Sequence, residues 1–148
     1  MISFEEIRVI TVVYLAVFLP LIIYFKNKDK LPNWIPTFYI VGVVVCSLGW
    51  ELWFSYGWIS GDGVDLRRSE SLNTWLPKDI NWLMNSMGDA GTVLLGGTWL
   101  MWLTHKKDQI VFKEWKWSGF CVLLTWCVTQ NILVELFLYQ DQLAEDKL

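Results

Sequence analysis

Residues 36–59 read PTFYIVGVVVCSLGWELWFSYGWI, an apolar run in which Glu51 is the only Asp, Glu, Lys or Arg. A helix rises about 1.5 Å per residue, so about 20 such residues cross the hydrocarbon core of a bilayer. Three more blocks of the same kind flank it. Residues 9–25 carry no charge, 80–103 carry only Asp89, and 117–139 carry only Glu135. A backbone in lipid must satisfy its own hydrogen bonds, which makes each block a helix.

Composition agrees with that reading. Hydrophobic residues make up 54% of the chain and charged residues 18%, against about 25% charged in a typical soluble domain. The sequence therefore predicts an all-α protein: an integral membrane four-helix bundle with helices over about 9–25, 36–59, 80–103 and 117–139. Residues 1–148 form one polytopic domain with no large soluble part. The first block reads as a retained helix, because Glu5, Glu6 and Arg8 precede it where a signal peptide carries a basic cluster.

Basic residues sort by side of the bilayer. The connections 26–35 and 104–116 hold Lys26, Lys28, Lys30, Lys106, Lys107, Lys113 and Lys116 against Asp29, Asp108 and Glu114. The N-terminus, the connection 60–79 and the tail hold Arg8, Arg67, Arg68, Lys78 and Lys147 against a larger number of acids. The excess of Lys on the first side predicts that both termini are non-cytoplasmic, in a plasma, inner or endomembrane. Of the 11 Trp residues, Trp34, Trp99, Trp102, Trp115 and Trp117 fall near the inner border, and Trp58, Trp75 and Trp82 near the outer one. An interfacial belt accounts for those but leaves Trp50, Trp53 and Trp126 unexplained.

Several chemistries have no residues to support them. The single His105 excludes a histidine metal site, and no nucleotide loop or Ser-His-Asp set occurs. No metal, cofactor or nucleic-acid partner is expected. Cys46, Cys121 and Cys127 form no CxxC pair and read as small packing residues. The segment 61–68, GDGVDLRR, lacks calcium-loop spacing and reads as a solvated connector.

The costly residues carry the functional reading. Glu51, Asp89 and Glu135 lie in three different predicted helices, and a charge deep in a bilayer costs at least ~2.5 kcal/mol. Counted from the outer helix ends, Glu51 and Asn131 lie roughly 12 Å down, Asp89 roughly 14 Å, and Asn85 and Glu135 roughly 8 Å. Asn81, Asn85 and Asp89 recur every four residues and so share one helix face, as do Asn131 with Glu135 and Ser47 with Glu51. Glycines 88, 91, 96 and 97 allow neighbours to approach the third helix closely. The expectation is a polar pocket opening outward, with the third helix central.

Four uses of this layer remain open. Interhelical hydrogen bonds could simply glue the bundle. Carboxyls without an intramembrane base are also candidate proton donors and acceptors. Alternatively, an oligomeric transporter or channel subunit could bind a cation or proton there. An accessory subunit of a larger membrane complex would turn the same acids toward a partner. Around Glu51, the aromatic faces of Trp50, Trp53 and Phe54 suit a cation or carbocation.

Cys46-Ser47-Leu48-Gly49-Trp50-Glu51-Leu52-Trp53-Phe54 resembles the Trp-Glu motif in the second helix of integral-membrane terpene cyclases, which are proteins of seven helices. The resemblance covers the first three or four helices. It implies that Glu51 protonates or helps cyclise an isoprenoid chain. Trp82, Asp89 and Glu135 are loosely similar in placement and take no role from the family. Together these readings predict a membrane-embedded enzyme or binding protein, a cyclase or isomerase acting on a lipid-like, isoprenoid ligand. Glu51 is its expected acid and Asp89 its counter-base. Trp50, Trp53, Asn85, Asn131 and Glu135 are the expected ligand-binding shell, and a homo-oligomer or a membrane-complex partner is compatible with this arrangement.

Overall fold

The computed structural model describes residues 2–58 and 61–138; the side chains of Glu135 and Phe137 are outside the described set. The chain is all-α, and no strand occurs among the described residues. Its helices are α1 (Phe4–Asn27), α2 (Ile35–Leu48), α3 (Trp50–Tyr56), α4 (Val64–Arg67), α5 (Glu70–Trp75), α6 (Lys78–Ala90), α7 (Gly97–Thr104) and α8 (Trp117–Phe137). A π-helical turn, Gly91–Gly96, joins α6 to α7. Short 3-10 turns at Lys28–Lys30 and Gln109–Phe112 tighten two connections.

Two helical stretches, Phe4–Lys30 and Trp117–Val134, are long and apolar enough to cross a membrane. The pair α2 and α3 meets the same criterion if counted as one span, bent by 44° at Gly49. That bend corrects the expectation of a single straight helix over 36–59. Gly49 has φ −100° and ψ −107°, outside the helical region, and a residue without Cβ adopts such a conformation cheaply. Glu51 therefore sits in the first turn of a separate short helix.

α1 starts earlier than the apolar block suggests. Ser3 Oγ accepts from the Glu6 amide at 3.2 Å, and Glu6 Oε2 accepts from the Ser3 amide at 2.7 Å, a capping box that satisfies the orphan donors of the first turn. Glu6 also accepts from Ser69 and Ser71 Oγ. It is a buried tie between α1 and the start of α5, not a solvated flanking charge. Beside it, Val9 packs against Leu72 and Leu76, all three fully buried. Burying each leucine contributes on the order of 1.5–3 kcal/mol. A second core lies toward the other end of the bundle, where Leu31, Ile35, Leu95 and Trp102 meet. Trp102 is only 2% exposed, so it belongs to that core and not to an interfacial belt.

α6 packs against α1, α2 and α3 and forms the centre of the bundle. Small residues make this possible. Pro20 has no N–H to offer the Ala16 carbonyl one turn back. Gly91 lies against that carbonyl, where a Cβ would stand 3.2 Å from the Ala16 oxygen. A Cβ on Gly88 would stand 3.2 Å from the Ala16 Cβ. On the opposite flank Gly42 of α2 faces Ala90 and Leu94, and a Cβ there would overlap Leu94 Cδ1 at 2.3 Å.

The π turn is the second departure from a straight helix. Its glycines are poor helix formers, and widening the ladder by one residue leaves carbonyls for outside donors. Trp126 of α8 supplies one, its Nε1 donating to the Thr92 carbonyl at 2.7 Å. Gly96 and Gly97 give its indole room, with Cβ positions 3.4 Å from Trp126 Nε1 and Cδ1. α8 packs on α7 in this lower region. Farther along, Val134 and Leu138 face cavities between α8 and the rest of the bundle.

Candidate functional site

Glu51 is the innermost charged side chain of the site, 2% exposed. Ser55, one turn along α3, donates from Oγ to Glu51 Oε2 at 3.1 Å. Asn85 of α6 donates from Nδ2 to the same oxygen at 3.4 Å. No hydrogen bond reaches Oε1 among the described residues. The break at Gly49 makes this possible by turning α3 so that Glu51 and Ser55 face α6. Trp82 secures the turn, its Nε1 donating to the Ser47 carbonyl at 2.8 Å.

A cavity of about 110 Å³ opens beside Glu51. Asn85, Asp89, Trp50, Phe54 and Met84 line it, with Val12, Val13 and Ala16 of α1 opposite. It has room for several waters. A larger cavity of about 510 Å³ lies between α2, the π turn and α8, lined by Gly42, Val45, Cys46, Val93, Leu94, Gln130 and Asn131. Trp50, Asp89 and Val134 line both cavities. Asp89 thus stands between a small chamber containing Glu51 and a larger one. The larger volume falls within the roughly 300–1,000 Å³ of small-molecule sites.

The sequence-predicted residues divide accordingly. Glu51, Asn85 and Asp89 share the small chamber, and Trp50 borders both. Asn131 reaches only the larger chamber, and its amide donates to the Cys127 carbonyl of its own helix at 2.8 Å. Trp53 lines neither chamber; its ring lies against that of Trp50, tilted by 42° with centroids 4.8 Å apart. The side chain of Glu135, expected in the same shell, lies outside the described residues. The stripe of Asn81, Asn85 and Asp89 runs from a fully buried Asn81 through a half-buried Asn85 to an exposed Asp89.

The segment 61–68 is not a solvated connector. It folds into α4, and Arg67 donates to the Phe54 carbonyl while its guanidinium lies over the Phe54 ring at 5.1 Å. Arg68 is only 5% exposed. Its Nε donates to Asn73 Oδ1 at 2.6 Å, its Nη1 to Asn81 Oδ1 at 2.9 Å, and its Nη2 to the Leu76 carbonyl. Asn73 in turn donates to the Asp65 carbonyl at 2.7 Å. Burial pushes the Arg68 guanidinium down to about 10, partly offset by Asp65, which leaves it a cation at neutral pH.

Asn81 donates from Nδ2 to Ser55 Oγ at 3.4 Å. A continuous polar chain therefore links Arg68 through Asn81 and Ser55 to Glu51, all four buried. Sequence reasoning missed Arg68 and Ser55. Arg68 looked like half of a loop dipeptide, although Ser55 follows Glu51 at the four-residue spacing that puts both on one helix face.

Among the described residues no cluster of three or more His, Cys, Asp or Glu side chains could hold a metal ion. Comparison of the chain with protein-family models, with curated proteins and with solved structures finds no match.

Proposed function

We propose that this is a polytopic membrane protein, with four crossings built on 4–27, 35–56, 78–104 and 117–137, that performs acid–base chemistry on an apolar, isoprenoid-like ligand. Glu51 is the acid, Asp89 the base, and both termini are non-cytoplasmic. The membrane reading draws on two helical stretches of sufficient length and apolarity and on a third formed by the bent pair. It also draws on the apolar side chains turned outward along α1, α2 and α8, among them Phe18, Ile22, Ile40, Val41, Val128 and Ile132. Exposed apolar surface on this scale marks contact with lipid or with a partner.

One observation carries the chemistry: two carboxyls, Glu51 and Asp89, line a single small cavity whose other walls are largely apolar. Asp89 also lines the 510 Å³ chamber, so a ligand seated there would place a reactive carbon at the partition between the two. Protonation of a carbon–carbon double bond by Glu51 uses the π electron pair to form the new C–H bond and leaves a carbocation. The Trp50 ring borders the same space and stabilises positive charge through its face. Asp89 then removes a proton from a neighbouring carbon, and that C–H pair restores a double bond. Proton return from Asp89 to Glu51 through cavity water closes the cycle, making the net reaction an isomerisation or cyclisation.

Proteoliposomes containing the chain and linear isoprenoid lipids, incubated in heavy water, test this directly. Deuterium should appear on carbon in a recovered isoprenoid, and Glu51→Gln should abolish the label. Proton flux across the vesicle wall, lost in Asp89→Asn and accompanied by no carbon label, would instead establish a proton pathway.

A further inference from the structure

We infer that Arg68 fixes the direction of a buried donor chain, so that Glu51 presents its acidic proton from Oε1 into the cavity. The inference rests on Glu51 acting as an acid and names the residue that positions it.

A guanidinium has donors and no acceptor. Arg68 Nη1, 2.9 Å from Asn81, must therefore meet the amide oxygen of that residue. An Asn amide is otherwise free to rotate by half a turn, since its oxygen and nitrogen are near-isosteric. With Oδ1 held by Arg68, the Asn81 Nδ2 faces Ser55 Oγ, 3.4 Å away. The Ser55 hydroxyl then accepts from Asn81 and has its one proton left to give. Glu51 Oε2, 3.1 Å away, receives it. Asn85 Nδ2 approaches the same oxygen at 3.4 Å.

Oε2 is thus the acceptor of the Ser55 proton. A neutral carboxylic acid has one oxygen that carries the proton and one that only accepts. The donor chain that ends on Oε2 assigns it the accepting role, so the proton resides on Oε1, which has no hydrogen-bond partner among the described residues. The direction is set at the far end of the chain, more than one side chain away, by a residue that cannot reverse it. Arg68 itself is held by Asn73 and by the Leu76 carbonyl, so α5 and the loop before α6 belong to the apparatus that orients the acid. Arg68 does not touch the cavity; it is a positioning residue.

Infrared spectroscopy of the full chain in lipid vesicles reads the chain out without a ligand. A protonated carboxyl has a C=O stretch that falls in frequency as its carbonyl oxygen accepts hydrogen bonds. Glu51→Gln should remove one such band, which identifies it. Ser55→Ala, a change of one buried hydroxyl to hydrogen, should move that band to higher frequency, and Arg68→Gln, which can present an oxygen where the arginine presents N–H, should move it the same way. Arg68→Lys, still a pure donor, should leave the band closer to its original place than Arg68→Gln does. Should Arg68→Gln fail to fold, Ser55→Ala carries the test, since it cuts the chain while leaving Arg68 and its partners in place. A Glu51 band that stays in place in Ser55→Ala and in whichever upstream variants fold overturns the inference and leaves the acid intact. The absence of any band lost in Glu51→Gln would show an ionised Glu51, and then the acid reading falls together with the inference.

Discussion

Trp82 Nε1 donates to the Ser47 carbonyl at 2.8 Å, joining the first turns of α6 to the last turn of α2 just before the chain breaks at Gly49. The bond fixes the angle at which α3 leaves α2, and that angle turns Glu51 toward Asn85. Trp82→Phe keeps the ring and removes the donor. It should destabilise the protein by about 1 kcal/mol, seen as a lower thermal midpoint in mild detergent. An unchanged midpoint would mean that the bend is set by Gly49 alone.

At the other end of α3, Gly57 adopts φ +65°, and a Cβ there would sit 2.1 Å from the Gly61 carbonyl oxygen. The left-handed conformation alone costs a non-glycine residue roughly 1 kcal/mol, and backbone cannot yield as a side chain can. Gly57→Ala should therefore destabilise by well over that amount. Gly61→Ala, where nothing lies within 4 Å of a new Cβ, should stay within about 0.5 kcal/mol of the parent. Equal melting curves for the two variants would contradict the structure of this turn.

Trp126 is the donor that α8 offers to the π turn. Trp126→Phe leaves the Thr92 carbonyl without it, at a cost of about 1–3 kcal/mol if no water replaces the indole. Amide hydrogen exchange across 91–97 should accelerate, while exchange in α1 stays as it was. Protection unchanged at 91–97 would show that α8 does not depend on this bond.

Glu6 ties the start of α1 to the serines that open α5. Glu6→Ala removes half of the capping box and the acceptor of Ser69 and Ser71. A lost cap is worth ~0.5–2 kcal/mol, and exchange should rise locally in 69–76. Because α5 helps hold Arg68, the same variant should also move the Glu51 carboxyl band toward higher frequency.

The apolar blocks were legible because hydropathy is a property of composition along the chain, and the all-α architecture follows from it. The breaks inside those blocks were not. Gly49 reads as one more small residue in an apolar run, and whether it continues a helix or ends it depends on Trp82 arriving from another helix. The π turn is hidden for the same reason, since four glycines at 88, 91, 96 and 97 announce close packing without announcing a widened ladder. The stripe of Asn81, Asn85 and Asp89 followed from four-residue spacing, and Asn85 does meet Glu51. Asn131 shares their expected depth but turns its amide back onto its own helix, because depth says nothing about rotation. Arg68 was invisible as a buried group. Its three partners come from Asn73, Leu76 and Asn81, and only the folded loop brings them together.

The proposed chemistry requires that the chambers flanking Asp89 hold an apolar ligand for the carboxyls to act on. Mass spectrometry of the molecules retained by the chain after purification in mild detergent tests it most directly. An isoprenoid-class molecule should be retained in near-stoichiometric amount and be depleted in Trp50→Ala, whose ring borders both chambers. Bulk phospholipid alone, in the same amount with and without Trp50, would contradict it.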